Sequence, residues 1–194
     1  MKSGRQIPLL KILSMINLHN VIWLTGMSGS GKSTLSSELM LLLLQKNYKV
    51  YVLDGDDMRG KDTIKLGYGY KDVMKNNLRV ADLCNELRKE YDFIIVPVIS
   101  PYESIRQKVR SKLEPNFHLV YIKSDIESLR SRDPKGLYLA SDKGLINNLI
   151  GYSKINPYDE PNNAEVVVET GSHVTISDSR EQLFGYINKT CLIV

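Results

Sequence analysis

Lys32 and Ser33 close the segment Gly26-Met-Ser-Gly-Ser-Gly-Lys-Ser33, whose spacing of glycine, lysine and serine is that of a phosphate-binding loop. Its glycines permit a tight turn whose N–H groups converge on phosphate oxygens at the positive end of the following helix. The lysine cation suits the β- and γ-phosphates, and the serine hydroxyl suits Mg²⁺. The sequence therefore predicts a site for ATP and Mg²⁺, with Ser33 at the metal, formed by Gly26, Ser28, Gly29, Ser30, Gly31, Lys32, Ser33 and Thr34.

A second candidate segment is Leu53-Asp-Gly-Asp-Asp-Met-Arg59, which follows an apolar run. A carboxylate there could order Mg²⁺ or accept a proton from an attacking hydroxyl, and Arg59 could pair with a phosphate. A polar β-turn is the alternative interpretation, since Asp and Gly are common in turns. The position one strand after the phosphate-binding loop favours a functional role for Asp56 and Arg59.

Two further segments carry polar residues after apolar runs. Ile99 and Ser100 follow a buried run, and the segment that starts at Arg132 adds the cation of Lys135. These cations could neutralise charge on a transferring phosphoryl group. A polar strand end and a basic helix end, favoured by the helix dipole, are the respective alternatives.

The elements that must position these residues alternate between short β-branched runs and segments of helical period. This alternation predicts an α/β fold, with a mostly parallel five-stranded sheet, helices on both faces and ligands at the carboxyl ends of the strands. A capping box at Ser124-Asp-Ile-Glu127 predicts the start of one helix, and a last helix is expected from Ser179 to about Asn188. The predicted strands are 21–25, 50–53, 93–98, 118–122 and 166–168.

The segment from Asp133 to Pro161 lacks a sustained apolar period and contains three prolines. Long irregular segments in compact domains are uncommon unless they are functional or disordered. We therefore expect a long lid, about 133–161, that closes over substrate; a surface insertion without function is the alternative.

Composition limits the remaining possibilities. The 194 residues suit one domain over 21–194, after an N-terminal extension over 1–20. The formal charge of +4 is spread along the chain, which argues against nucleic-acid binding. The apolar run near the N-terminus is too short to span a bilayer. Two cysteines without a disulfide pattern favour a reducing, cytoplasmic location.

Taken together, seven segments within about residues 20–170 resemble adenylyl-sulfate kinases, a family of P-loop NTPase fold. The run from Arg132 to Tyr138 is the most specific of them. The segments are Gly26–Thr34, Leu53-Asp-Gly-Asp56, Leu66-Gly-Tyr68, Asn76, Ile99-Ser-Pro-Tyr102, Arg132-Asp-Pro-Lys-Gly-Leu-Tyr138 and Pro157-Tyr-Asp-Glu-Pro161.

The resemblance implies transfer of phosphate from ATP, with Mg²⁺, to the ribose 3′-hydroxyl of adenylyl sulfate, a small nucleotide-linked acceptor, in an enzyme that is often a homodimer. It implies ATP contacts by Arg132 and a place for Asp56 near the attacking hydroxyl. In some relatives the serine at the Ser100 position becomes phosphorylated. The residues it implies at the acceptor are Arg59, Tyr68, Asn76, Ile99, Ser100, Lys135 and Leu149.

Four positions depart from the family's pattern. Val73 stands where the family has an acceptor-binding arginine, and Leu149 where an aromatic ring stacks on adenine; Glu103 and Asn147 replace basic residues. These changes suggest an acceptor that is less anionic or has another base. Cytidine diphosphoramidate is the main alternative acceptor. A P-loop nucleotide switch is a remote alternative, since Asp57-Met-Arg-Gly60 fits D-x-x-G but no guanine-reading element is found. A binding protein without turnover is another.

Overall fold

A computed structural model describes residues 19–54 and 67–192 of the chain. In this part of the chain, five strands form one parallel sheet in the order β2-β3-β1-β4-β5. The predicted α/β class is confirmed, and each predicted strand is found within about two residues of its expected bounds. The strands are β1 (Asn20–Thr25), β2 (Val50–Val52), β3 (Phe93–Pro97), β4 (Phe117–Lys123) and β5 (Val166–Glu169).

The helices cover both faces of the sheet. Two apolar clusters divide the core. One joins β1 and β3 to the helices at 70–87 and 103–113, and the other joins the same strands to the helices at 32–45 and 176–190. Because both faces are covered, the central strands β1 and β3 are almost entirely buried and mostly apolar, as parallel strands usually are. The helices are α1 (Lys32–Gln45), α2 (Tyr70–Leu87), α3 (Glu103–Leu113), α4 (Ile126–Arg132), α5 (Leu137–Asp142) and α6 (Ile176–Thr190).

The register of the sheet determines which loops meet. Leu24 of β1 lies opposite Pro97 of β3, and Thr25 lies opposite Tyr121 of β4. The phosphate-binding loop therefore leaves β1 at the same edge where the chain leaves β3. This shared edge brings the loop close to the Ile99-Ser100 segment, as the sequence predicts.

Three details differ from the sequence predictions. The N-cap of α4 is Asp125, not Ser124, because the Asp125 carboxylate accepts a hydrogen bond from the Ser128 N–H at 2.7 Å. Helix α6 begins earlier than expected, after a capping box formed by Thr175 and Asp178. The 133–161 segment, expected to be irregular, contains α5. Among the described residues, no helix is long and apolar enough to cross a membrane.

Candidate active site

The phosphate-binding loop requires glycine for two different reasons. A Cβ atom on Gly26 would lie 2.5 Å from the Ile122 carbonyl oxygen and 2.7 Å from Ser30 Oγ, so the close approach of β4 excludes any side chain. Gly31 is the N-cap of α1 and has φ of +96°, a left-handed conformation that favours glycine. The loop therefore turns directly into the amino end of α1, where helix N–H groups and the dipole favour an anion.

Side chains from the loop and from distant segments contact the carbonyl groups of the loop. Lys32 Nζ donates to the carbonyl oxygens of Gly26 and Met27, both at 2.8 Å. The Tyr138 hydroxyl donates to the carbonyl of Ser28 at 2.8 Å. Thr170 Oγ1 lies 3.0 Å from the carbonyl of Ser30. Carbonyls fixed in this way point the N–H groups on the other side of these peptides toward the site for a phosphate, whereas the Ser30 N–H donates to the Met27 carbonyl at 3.2 Å.

A cavity of about 420 Å³ lies above the loop. Its wall includes the predicted phosphate-binding residues from Ser28 to Thr34, together with Ile99, Arg132 and Lys135. Asp54, which follows β2, also lines it, as do the apolar side chains of Val174 and Ile176. A mixture of apolar surface and a few convergent charged groups is typical of nucleotide-sized sites.

Arg132 is the last residue of α4, and Lys135 lies in the turn that connects α4 to α5. The Asp133 carboxylate accepts hydrogen bonds from the backbone N–H groups of Tyr138 at 3.2 Å and Leu139 at 3.0 Å, which caps α5. The guanidinium of Arg132 donates to the Thr170 carbonyl. The two predicted cations therefore lie on a braced turn beside the site for phosphate.

The end of β3 is also fixed by hydrogen bonds. Ser100 has φ of +43°, and its hydroxyl donates to Asn77 Oδ1 at 2.6 Å. Thr25 Oγ1 lies 2.5 Å from the Ile99 carbonyl. The buried Arg106 donates to the Ser100 carbonyl at 2.7 Å. This unusual backbone conformation is thus held from three sides, as strained residues near functional sites usually are.

The 133–161 segment returns to the same edge of the sheet. The Tyr158 ring stacks on Tyr121 at 6.0 Å, and its hydroxyl lies 2.9 Å from Thr25 Oγ1. The Asp159 carbonyl accepts from Arg106 at 2.6 Å. A Cβ atom on Gly151 would lie 2.9 Å from Met27 Cε, so the segment also packs closely on the loop. Its closure over substrate stays a prediction.

The remaining residues that were predicted at the acceptor lie in different surroundings. Tyr68 is half-exposed, whereas Asn76 is buried, and neither atom of its amide has a hydrogen-bond partner in the described part of the chain. Leu149 is buried against Leu129 and Tyr138. Val73 packs in the core. Asp56, Arg59 and Leu66 lie outside the described residues.

Sequence reasoning missed several residues that shape the site. The contacts made by Thr170, Tyr158 and Arg106 each join residues more than fifty positions apart in the chain. No local sequence pattern predicts such contacts. Helix α3 had a usable signal, because Ile105, Val109 and Leu113 recur every four residues and all are buried.

The family model of adenylylsulphate kinase matches residues 19–169. The chain belongs to this family. The adenylyl-sulfate kinase of Bacillus licheniformis is 37% identical over 169 residues, which is 87% of this chain and 84% of that protein. That of Clostridium kluyveri is 39% identical over 150 residues, 77% of this chain and 74% of its own.

A solved structure supports the same assignment. The Mycobacterium tuberculosis APS kinase CysC, in complex with AMPPNP and APS, is similar with a TM-score of 0.76 and 29% identity, covering 88% of this chain and 98% of that one. The present member of the adenylylsulphate kinase family has the P-loop kinase fold. It is an ATP-dependent phosphotransferase.

The donor set around the loop also fits Mg²⁺. The described residues contain no group of three or more His, Cys, Asp or Glu that could hold a metal by themselves. Kinases need no such group, because Mg²⁺ is usually bound by one or two protein oxygens together with phosphates and water. The Ser33 hydroxyl and the Asp54 carboxylate line the cavity and supply such oxygens.

Proposed function

We propose that this protein transfers the γ-phosphoryl group of ATP to the ribose 3′-hydroxyl of adenylyl sulfate. The observation that carries the proposal is that Ile99 and Lys135, implied at the acceptor, line the same cavity as the phosphate-binding loop. Donor and acceptor sites that share one cavity allow in-line transfer without a protein-bound intermediate. The names of the most similar relatives support the same acceptor.

The described residues suggest how ATP is held. The loop N–H groups and Lys32 bind the phosphates, and Arg132 adds positive charge where the cavity meets the 133–161 segment. The apolar side chains of Val174 and Ile176 offer a surface for the base. Mg²⁺, held by Ser33 and Asp54, would neutralise charge on the β- and γ-phosphates.

The acceptor side depends on further residues. In our proposal, Asp56 accepts the proton of the attacking hydroxyl and Arg59 pairs with an anionic group of the acceptor. The buried amide of Asn76, which lacks a partner in the described part of the chain, has donors and an acceptor available for the acceptor nucleotide. Closure of the 133–161 segment excludes water from the transferring phosphoryl group.

The surroundings of Glu103 and Val73 favour a second candidate acceptor, cytidine diphosphoramidate. Glu103, where the family has a basic residue, pairs with Arg106 at 2.7 Å and so removes positive charge from the end of β3. Val73, where the family has an arginine, is buried in the core. An acceptor with less negative charge and no adenine would need neither an arginine at position 73 nor an aromatic ring at position 149.

One experiment separates the two candidates. The purified protein with ATP and Mg²⁺ is offered adenylyl sulfate and cytidine diphosphoramidate in parallel, and ADP release and product mass are measured. We expect adenylyl sulfate to gain one phosphoryl group. Turnover of only the cytidine compound would replace the first proposal with the second. Turnover of neither, with ATP binding intact, would contradict both.

A further inference from the structure

We propose that Tyr138 is a positioning residue for ATP: its hydroxyl holds the Ser28 carbonyl outward and thereby keeps the phosphate-binding loop in its binding shape. Tyr138 is far from the loop in the sequence, since 110 positions separate it from Ser28. The proposal concerns only the ATP half of the site. It therefore holds for either candidate acceptor.

The geometry of the loop requires hydrogen-bond donors for its carbonyl groups. A peptide that turns its N–H group toward a phosphate points its carbonyl in the opposite direction, where the carbonyl needs a hydrogen-bond donor. Lys32 serves the carbonyls of Gly26 and Met27. Thr170 lies beside that of Ser30. The Ser28 carbonyl receives its hydrogen bond from Tyr138, at 2.8 Å.

Tyr138 is well suited to hold a fixed position. Its side chain is 1% exposed and packs against Leu129 and Leu149. The ring of Tyr152 meets it edge-on, with centroids 5.2 Å apart. Burial raises the pKa of the Tyr138 hydroxyl above its ordinary value, which keeps the proton on the oxygen and available to Ser28.

The same residue connects the loop to the cations. The backbone N–H of Tyr138 is bound by the Asp133 carboxylate, and Asp133 lies between Arg132 and Lys135 in the chain. A Cβ atom on Gly29 would be 3.6 Å from Pro134 Cδ, so the turn lies directly beside the loop. Tyr138 therefore fixes the distance between the loop and the turn that carries both cations.

The test is the variant Tyr138→Phe, which keeps the ring and removes only the hydroxyl. The matched control is Tyr152→Phe, which removes a hydroxyl bonded to Asp142 in the same cluster, at 2.6 Å, without touching the loop. A hydrogen bond lost from one loop carbonyl should weaken ATP binding about tenfold in Tyr138→Phe. The control should bind ATP like the parent protein.

Three measurements decide the outcome: the dissociation constant of ATP by calorimetry, the KM values of ATP and acceptor, and the Tm by circular dichroism. We expect a rise in the dissociation constant and KM of ATP with an unchanged acceptor KM. Equal ATP binding in the two variants would overturn the proposal. A Tm loss greater than about 10 °C in Tyr138→Phe would also overturn it, because the residue would then be structural.

Discussion

The guanidinium of Arg106 donates a hydrogen bond to the backbone carbonyl of Ser100 at 2.7 Å, and both residues are almost fully buried. The same guanidinium donates to the carbonyl of Asp159 at 2.6 Å and lies over the Tyr158 ring. Arg106 thus joins the end of β3 to the end of the 133–161 segment. One side chain of α3 therefore connects two chain segments that are far apart in the sequence.

Arg106→Met should therefore destabilise the protein strongly. It would remove the charged hydrogen bonds that Arg106 makes to two backbone carbonyls and to the partly buried Glu103 carboxylate, at a cost of about 3 kcal/mol in the free energy of unfolding. The control Arg130→Met removes a more exposed ion pair with Asp142, which should cost at most about 1 kcal/mol. Urea denaturation measures both values, and equal losses would contradict this role of Arg106.

Gly26→Ala should abolish ATP binding and lower the Tm, because the new Cβ would lie 2.5 Å from a carbonyl oxygen of β4. The strand cannot move away without breaking its ladder with β1. Gly144→Ala is the control: its φ is +68°, and none of the described atoms lies within 4 Å of the added Cβ. It should cost only backbone strain of about 1–2 kcal/mol and leave ATP affinity intact. Equal ATP affinity in the two variants would refute the steric argument.

Lys32→Ala should reduce kcat by roughly a hundredfold or more, since it removes a cation from the transferring phosphoryl group. It also removes the donor to the Gly26 and Met27 carbonyls, so the loop itself should loosen and the dissociation constant of ATP should rise. Steady-state kinetics and calorimetry separate the two effects. Turnover at the parent rate would show that the loop takes no part in the transfer.

Stability should decrease in mild acid because of His118. Burial lowers its pKa below the ordinary 6.5, outweighing Glu165, which acts in the opposite direction; Arg110 and Arg88 lower it further. Between the lowered pKa and 6.5 the unfolded chain binds a proton that the folded chain does not. The free energy of unfolding should therefore fall as the pH drops through 6.5, and stop falling below the folded pKa.

Two variants isolate this effect. His118→Asn should flatten the fall of the unfolding free energy below pH 6.5, whatever its absolute stability, since the half-buried imidazole at position 118 no longer titrates. The exposed His173 provides the matched control, as His173→Asn removes a histidine outside the core. An unchanged slope in His118→Asn would place the pH dependence elsewhere.

The sequence predicted the strands and the phosphate-binding loop because both depend on local patterns. The β-branched run at 93–98 and the spacing from Gly26 to Ser33 each have one physical interpretation in an alternating α/β chain. The position of Ile99 at the carboxyl end of the sheet followed from the parallel arrangement alone.

The supports of the site were not predictable in this way. The contacts of Thr170 with the Ser30 carbonyl and of Tyr158 with Thr25 join residues 140 and 133 positions apart, and hydroxyl groups at such positions carry no periodic signal. The cap of α4 was misassigned because Ser124 and Asp125 are both good N-cap residues. Only the three-dimensional path of the backbone decides which of the two residues is the N-cap.

The outward carbonyls of the phosphate-binding loop have a consequence for the growing chain on the ribosome. The loop ends at residue 33, yet the hydroxyl groups beside two of its carbonyls, those of Tyr138 and Thr170, are synthesised more than a hundred residues later. A nascent chain that stops before them lacks those donors. The nucleotide site therefore cannot be completed until Thr170 has been synthesised, long after the loop itself, and ATP capture by a nascent chain should begin only beyond that point.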